Sequence, residues 1–359
     1  MIPLRVGIDA RPLVGNRTGI GVHTAEIAQR LETDPPPLLL AHREIADRSG
    51  VERCRFRVDS SPLGFLWQQT RLPAALREEG CEVFWGPHGT LPFDLPVPAV
   101  ATVHDLTSLT RPGLHRLRTV ASFNLLIGAS LRAAAAITAV STSTADELVR
   151  GFGISPSRIT VVPNAVDEYF SPADEEPVLP FGLSAGSYVL YAGTLEPRKG
   201  IADLVAAWEQ LRPRPRLVLA GGRGWKIDRF LERVCRRHGE SLLITGFVDR
   251  AVLRDLYRGA ICFVYPSHDE GFGIPPLEAM ACGTPVIASD AGALRETVGE
   301  GALVVRKENP EDLRRALERL LRDPGLRRDL RERGVANVRR FDWGRSASIL
   351  LEVLRRVAR

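Results

Sequence analysis

Short β-branched runs that stop at turn residues alternate with helix-length segments along the whole chain, and this alternation restricts the fold more than any other feature. In the first half, strands are expected at 4–9, 37–42, 82–86, 98–104, 136–140 and 159–162, with helices at 21–31, 66–79, 115–134 and 143–150. Residues 167–186 have the acidic, Pro-rich composition of a linker. A second series follows, with strands near 187–193, 215–220, 241–245, 260–265, 284–288 and 302–305. Its helices fall near 200–211, 226–238, 250–257, 275–282, 310–321 and 324–339. Strands alternating with helices of this length predict parallel sheets covered on both faces. At 359 residues, two doubly wound α/β domains are expected rather than one core, with ligands at the carboxyl ends of the strands. The expected division is 1–166, 167–340 and a final segment 341–359, with hinge points near 165–186 and before the last helix.

Composition narrows the function classes. Apolar residues make up 44% and charged residues 25%, as in a soluble globular protein, and no uncharged stretch is long enough for a transmembrane helix. The chain runs from Met1 directly into a strand without a charged-then-apolar leader, so a cytoplasmic protein is expected. The five cysteines are scattered and contain no C-x-x-C pair, which predicts neither a disulfide framework nor a zinc site. A net charge of +5 does not mark a nucleic-acid binder. Residues 1–170 hold 17 basic and 17 acidic residues, and the 15 basic residues of 307–359 are interleaved with 9 acids on helix-like sequence. Only Lys199, Lys226 and Lys307 are lysines among 48 basic residues, so a lysine at a motif position carries weight.

The most informative block is Asp-Glu-Gly-Phe-Gly-Ile-Pro-Pro-Leu-Glu-Ala-Met-Ala-Cys-Gly-Thr-Pro, in which Glu270 and Glu278 stand eight residues apart. Glu270 precedes a Gly-Phe-Gly loop, and Glu278 lies about one turn into a helix opened by Pro275 and Pro276. Carboxylates flanking exposed backbone N–H groups suit a ligand that is anionic in its middle and carries hydroxyls at both ends, as a nucleotide-sugar does. Arg198 and Lys199 follow the first strand of the second half, beside a helix start where cations, dipole and N–H groups all favour a pyrophosphate. A solvated basic turn is the plain alternative. Gly221-Gly222-Arg223-Gly224 ends another strand and permits close backbone approach, or tight helix–strand packing.

In the first half, Thr18-Gly19-Ile20-Gly21 precedes a helix expected to start near Val22. It fails as a dinucleotide fingerprint, because the glycines lie about ten residues past the strand and Thr24 holds the third glycine position. It reads instead as a loop feeding a helix N-terminus. His104-Asp105 ends an apolar strand, and Trp85 and His88 sit at the equivalent end of another, where they could contact an acceptor or simply pack. No clustered metal-ligand spacing, nucleophile elbow or Walker pattern is present.

Together with Val161-Val162-Pro163-Asn164-Ala165-Val166-Asp167 and Thr245-Gly246-Phe247-Val248, these motifs resemble glycosyltransferase family 4, the retaining enzymes of the GT-B fold. The resemblance covers almost the whole chain and is nearest to bacterial mannosyltransferase-like members. It implies two Rossmann-like domains facing across a cleft, the first binding the acceptor and the second the nucleotide-sugar. Phe341-Asp342-Trp343 and the helix that follows would cross back onto the first domain. It further implies that Glu278 holds the ribose hydroxyls, Glu270 meets the transferred sugar, Lys199 and Arg198 neutralise the diphosphate, and His104 lies beside the donor sugar. Gly19, Gly21, Thr194, Gly222, Phe247, Phe272, Gly273 and Ile274 complete the implied donor contacts. No metal or other cofactor is implied. Many members carry arginine where this chain has Thr194, which shifts the phosphate-binding role to Arg198 and Lys199. The sequence leans to GDP-mannose as donor, with UDP- and dTDP-sugars open, and to a sugar or lipid-linked acceptor.

Two other readings compete. An NAD-dependent oxidoreductase would need a glycine fingerprint directly after a first strand, which neither half supplies. A non-catalytic sugar-nucleotide-binding relative would be expected to have lost one of Glu270, Glu278 and Lys199. The segment 114–132, apolar with cationic ends, could additionally dock peripherally on a membrane surface.

Overall fold

In the computed structural model, which describes residues 2–15, 17, 19–107, 126–172 and 175–359, the chain divides into two compact units. One is Met1–Asn164 together with Asp342–Arg359, and the other is Ala165–Phe341. The first is built on seven strands: β1 (Val6–Asp9), β2 (Leu38–Ala41), β3 (Arg55–Val58), β4 (Val83–Gly86), β5 (Ala99–Val103), β6 (Ala136–Ala139) and β7 (Ile159–Val161). They lie in the order β3-β2-β1-β4-β5-β6-β7, every neighbouring pair parallel. The second unit has β8 (Tyr188–Ala192), β9 (Arg216–Ala220), β10 (Leu242–Gly246), β11 (Cys262–Tyr265), β12 (Val286–Ser289) and β13 (Ala302–Val305). Their order is β10-β9-β8-β11-β12-β13, again wholly parallel.

In both sheets the first strand of the unit lies beside the fourth, with the second and third on its other side. The connections leaving β1 and β4, and those leaving β8 and β11, therefore diverge and open a crevice at the carboxyl ends of those strands. Every position of β1, β2, β4, β5 and β6 is buried, as in largely apolar strands with both faces covered, and the polar Asp9, Thr102 and Thr138 among them are buried too. β3 was not expected, because its sequence Arg-Phe-Arg-Val is polar at alternate positions and only half-buried, as an edge strand can be.

The first helix runs Gly19–Ala28, so it starts three residues before the expected Val22 and takes both glycines into its first turn. The reason is packing: a Cβ on Gly21 would lie 2.6 Å from the Pro12 carbonyl oxygen. Of the expected helix 115–134, residues 126–133 are helical, while 115–125, with most of the 114–132 segment, lie outside the described residues, as does Thr18. The last helix, Trp343–Ala358, packs within the first unit against the Gly19–Ala28 helix, β4 and β5. Ser346 Oγ donates to the Pro163 carbonyl at 2.7 Å and ties the returning chain to the departing one. Among the described residues, no helix is long and apolar enough to cross a membrane.

One glycine sets how closely the β8 loop approaches the end of β11. Gly200 has φ +68° and follows the tight turn Pro197–Lys199, and a Cβ there would lie 2.0 Å from the Pro266 carbonyl oxygen. Both the backbone region and the space exclude a side chain. Gly200→Ala is expected to lower unfolding free energy by about 2 kcal/mol or more. Gly222→Ala, whose Cβ would meet nothing within 4 Å, is expected to be near neutral. Denaturant titration of the two variants checks this; equal losses would contradict it.

Candidate functional site

In the second unit, the crevice between β8 and β11 brings together residues 71 apart in sequence. Lys199 ends the turn after β8 and is only 7% exposed. Its ammonium donates to the Tyr265 hydroxyl at 3.0 Å and to Glu270 Oε1, and Ser267 Oγ donates to the same oxygen at 2.6 Å. Arg198 Nη1 stands 3.9 Å from that oxygen, while its Nε is held by Glu196 Oε1 at 2.6 Å. Tyr191 stacks on Tyr265 with ring centroids 6.1 Å apart and walls the cluster from behind. Burial works against the Glu270 charge, but Lys199, then Arg198, and the hydrogen bonds from Lys199 and Ser267 outweigh it. The carboxyl is held below its ordinary range.

Glu278 sits in a different environment. Its helix, Ile274–Ala281, is entered through Gly273 at φ +100°, where a Cβ would lie 2.4 Å from Leu294 Cδ2. Pro275 and Pro276 have no N–H, and the Ile274 N–H at the first helical position has no intrahelical acceptor, so it is available to an anion. The Tyr257 hydroxyl donates to Glu278 Oε2 at 3.0 Å. Burial pushes the Glu278 carboxyl up to about 7, against the smaller opposing effects of the Tyr257 hydrogen bond and Arg250. Of two carboxylates eight residues apart, one is therefore held ionised and the other poised near neutrality.

The first unit has its own cluster at the matching place. Asp9, at the end of β1, is fully buried and receives Arg11 at 2.6 Å from Nη2 and 3.0 Å from Nε. Arg11 Nη2 also donates to Thr90 Oγ1 at 3.3 Å in the loop after β4. Beyond β5, His104 Nε2 lies 2.9 Å from the Pro87 carbonyl oxygen. A carbonyl only accepts, so Nε2 carries the proton and Nδ1 presents a lone pair. Burial drives the His104 imidazole down to about 4, so it is neutral at physiological pH. His23, fully buried, sets its edge against His104 with centroids 4.8 Å apart, and its Nδ1 pairs with Asn164 Oδ1 at 2.7 Å.

Of the residues singled out in the sequence, Lys199, Arg198 and Glu270 converge on one oxygen. The two cations are not free in solvent as a simple phosphate-binding turn would leave them; carboxylates already engage both. Glu278, Gly273 and Ile274 share the following helix start. Phe272 turns inward, 6% exposed and edge-on to Phe341, and its carbonyl accepts from the Thr297 hydroxyl at 2.8 Å. Thr194 is exposed and its carbonyl accepts from the Tyr191 hydroxyl at 3.1 Å. Gly222 accepts from the Leu195 N–H through its carbonyl at 2.9 Å, and Phe247 is 76% exposed. Gly19 and Gly21 are helical, as described above. Trp85 is core: it is fully buried and its Nε1 donates to Thr102 Oγ1 at 2.8 Å. Asp105 accepts from the Thr107 N–H and hydroxyl at 3.2 and 2.8 Å, a local turn. Sequence reasoning missed Tyr257, Tyr265, Ser267, Asp9 and Arg11. Ser267 alone gave a local signal, three residues before Glu270. Among the described residues, no three His, Cys, Asp or Glu side chains converge as a metal site.

Comparison with known proteins agrees with this layout. The family model for Glycosyl transferases group 1 matches residues 184–336, and that for Glycosyltransferase Family 4 matches residues 17–169. The chain is 36% identical over 278 residues to the O-antigen chain mannosyltransferase B of Escherichia coli, covering 75% of this chain and 73% of that protein. It is 32% identical over 240 residues to the serotype-specific mannosyltransferase WbdA of Escherichia coli, and that match spans 62% of this chain but only 29% of WbdA. Among solved structures, Anabaena HepE in complex with UDP-glucose superimposes with a TM-score of 0.80 at 20% identity, over 98% of this chain and 99% of that one. At that identity the likeness establishes the fold.

The raised Glu278 value has a consequence for stability. Folding binds the proton more tightly than the unfolded chain does, so this contribution is full below the ordinary value of 4.5 and is lost as pH rises through about 7. Glu278→Gln is therefore expected to gain about 2–3 kcal/mol relative to the parent between pH 5 and pH 8. Denaturant midpoints at both pH values check it; a gap that does not change with pH would contradict it.

Proposed function

From a chain that belongs to the family 4 glycosyltransferases and has their GT-B fold, we propose a retaining, metal-independent hexosyl transfer from a nucleotide-sugar to a glycan, glycolipid or small-molecule acceptor. The observation that carries this reading is the pairing of a charged Glu270–Lys199–Arg198 cluster with a separately tuned Glu278 at one switch point. Mannose from GDP-mannose is the proposed donor group, supported by the mannosyltransferase relatives. The bound UDP-glucose of HepE keeps uridine donors in the test.

In this reading, Glu278 receives the two ribose hydroxyls, displacing the Tyr257 hydroxyl as its polar partner or sharing with it. Glu270 accepts from hydroxyls of the transferred sugar. Lys199 and Arg198, with the Ile274 N–H, face the diphosphate and offset the charge that grows on it as the bond to the anomeric carbon breaks. The acceptor hydroxyl attacks the same face of the sugar. Its oxygen bonds to the anomeric carbon, its proton passes to the departing phosphate oxygen, and the anomeric configuration is kept. His104, neutral and with Nδ1 free to accept, is proposed to hold a donor-sugar hydroxyl. Cations already placed by the protein supply the charge stabilisation for which a divalent metal would otherwise be recruited.

The test is turnover of GDP-mannose, UDP-glucose and dTDP-sugars with simple sugar acceptors in the presence of chelator. Nucleoside diphosphate release is followed, and product configuration is read by NMR. One nucleotide family is expected to turn over with retention, and donor KM is expected to rise as pH falls below about 7, where Glu278 is protonated. An inverted product, or loss of turnover on chelation, would overturn the mechanism. Donor binding without turnover of any donor would favour the non-catalytic reading.

A further inference from the structure

A cavity of about 590 Å³ lies at the amino-terminal edge of the second unit's sheet. Its walls come from residues leading into three strands, Gly186 before β8, Ile261 before β11 and Pro285 before β12, and from the start of the helix Pro324–Val338. The five residues of β8 separate it from the Lys199 crevice at the other edge, about 16 Å at the usual rise per strand residue.

Four arginines line this cavity, Arg258, Arg327, Arg328 and Arg331, and among the described residues no carboxylate lines it. Three are fixed by uncharged acceptors. Arg258 Nε donates to the Ser171 carbonyl at 2.8 Å, Arg327 Nη1 to the Leu320 and Leu321 carbonyls at 2.7 and 2.9 Å, and Arg331 Nε to the Gly283 carbonyl at 2.8 Å. These bonds set the guanidinium positions without cancelling their charge. Arg258 Nη1 also stands 3.8 Å from Asp255 Oδ1, which does not line the cavity.

Helix-face arginines nearby are treated differently. Arg314 pairs with Glu311 and Glu318, Arg315 with Glu311, and Arg333 with Asp329. Arg327, Arg328 and Arg331 have no carboxylate partner among the described residues, although the same helix turns carry acids. Like charges gathered on a concave wall repel one another unless an anion joins them, and pre-positioned guanidinium forks match phosphoryl oxygens. The volume admits several phosphoryl groups at once.

We propose that this arginine-lined cavity is a second binding site, distinct from the sugar-nucleotide crevice, for a small soluble oligophosphate. The site takes its ligand by charge and by the guanidinium forks, with no demand for a base or sugar. It stands independently of what the Lys199 crevice binds.

The probe is tripolyphosphate, titrated calorimetrically into the full chain and into Arg328→Glu. Arg328 makes no side-chain bond to another described residue, so its replacement is expected to leave the melting temperature unchanged. The expected result is saturable binding by the parent and a loss of fivefold or more in Arg328→Glu, with Arg328→Gln read on the same threshold if the charge reversal does not fold. No binding by the parent, or a loss of less than fivefold in the variant, overturns the proposal. Retention on phosphatidylglycerol vesicles without affinity for soluble tripolyphosphate overturns it as well, in favour of a lipid headgroup.

Discussion

The Lys199–Glu270 ion pair keeps a carboxylate charged where burial alone would neutralise it, and the carboxyl edge of the second unit is arranged around that pair. A buried charge needs both an opposite charge and hydrogen bonds to its remaining lone pairs. Here Lys199 and Arg198 supply the first, and Ser267 the second. Lys199 reaches Glu270 only because the chain turns sharply after β8, and that turn fits against Pro266 only because residue 200 is glycine. Removing either partner would leave the other charge buried and unmatched, typically costing about 3–5 kcal/mol. The pair is costly to keep for stability alone. Its presence at a switch-point crevice is what a site for a charged, hydroxyl-rich ligand requires, because a diphosphate can share the cations and a sugar the carboxylate.

The contrast with Glu278 shows how one short block serves two purposes. Glu270 has two cations near it and stays ionised, whereas Glu278 has a tyrosine hydroxyl and a mostly apolar setting, and titrates near neutrality. Hydroxyl donors from an incoming ligand would favour the ionised form of Glu278, so their binding is coupled to its proton. In the first unit, His104 is shifted the other way, to a neutral ring whose tautomer the Pro87 carbonyl fixes. Each titratable group thus has its state set by identifiable neighbours, as functional sites commonly show.

Much of this arrangement could be read from the sequence, because strand–helix alternation, the Gly-Ile-Pro-Pro helix entry and Arg-Lys placement are local signals. The alternation located the central strands because these are apolar at nearly every position. It missed β3, where Arg55 and Arg57 break the apolar run at an exposed edge. The first helix started early because Gly21 is required by contact with Pro12, a tertiary constraint that no local pattern announces. Trp85 follows the same logic. Its place at a strand end left ligand contact and packing both open, and its N–H donates to Thr102, on the neighbouring strand, in the core. Tyr265 meets Lys199 only when the sheet order sets β8 beside β11, and Arg11 meets Thr90 only when it sets β1 beside β4, so neither contact could be read locally.

Glu278 and the Lys199–Glu270 cluster are proposed to form one nucleotide-sugar site in the second unit. Calorimetric titration of GDP, UDP and dTDP into the protein and into Glu278→Ala, at pH 8 with chelator, tests it most directly. One nucleoside diphosphate is expected to bind the parent and to be weakened about tenfold or more in the variant, a loss near 1.4 kcal/mol or greater. Equal affinity in parent and variant, or no binding of any of the three by the folded parent, would contradict it.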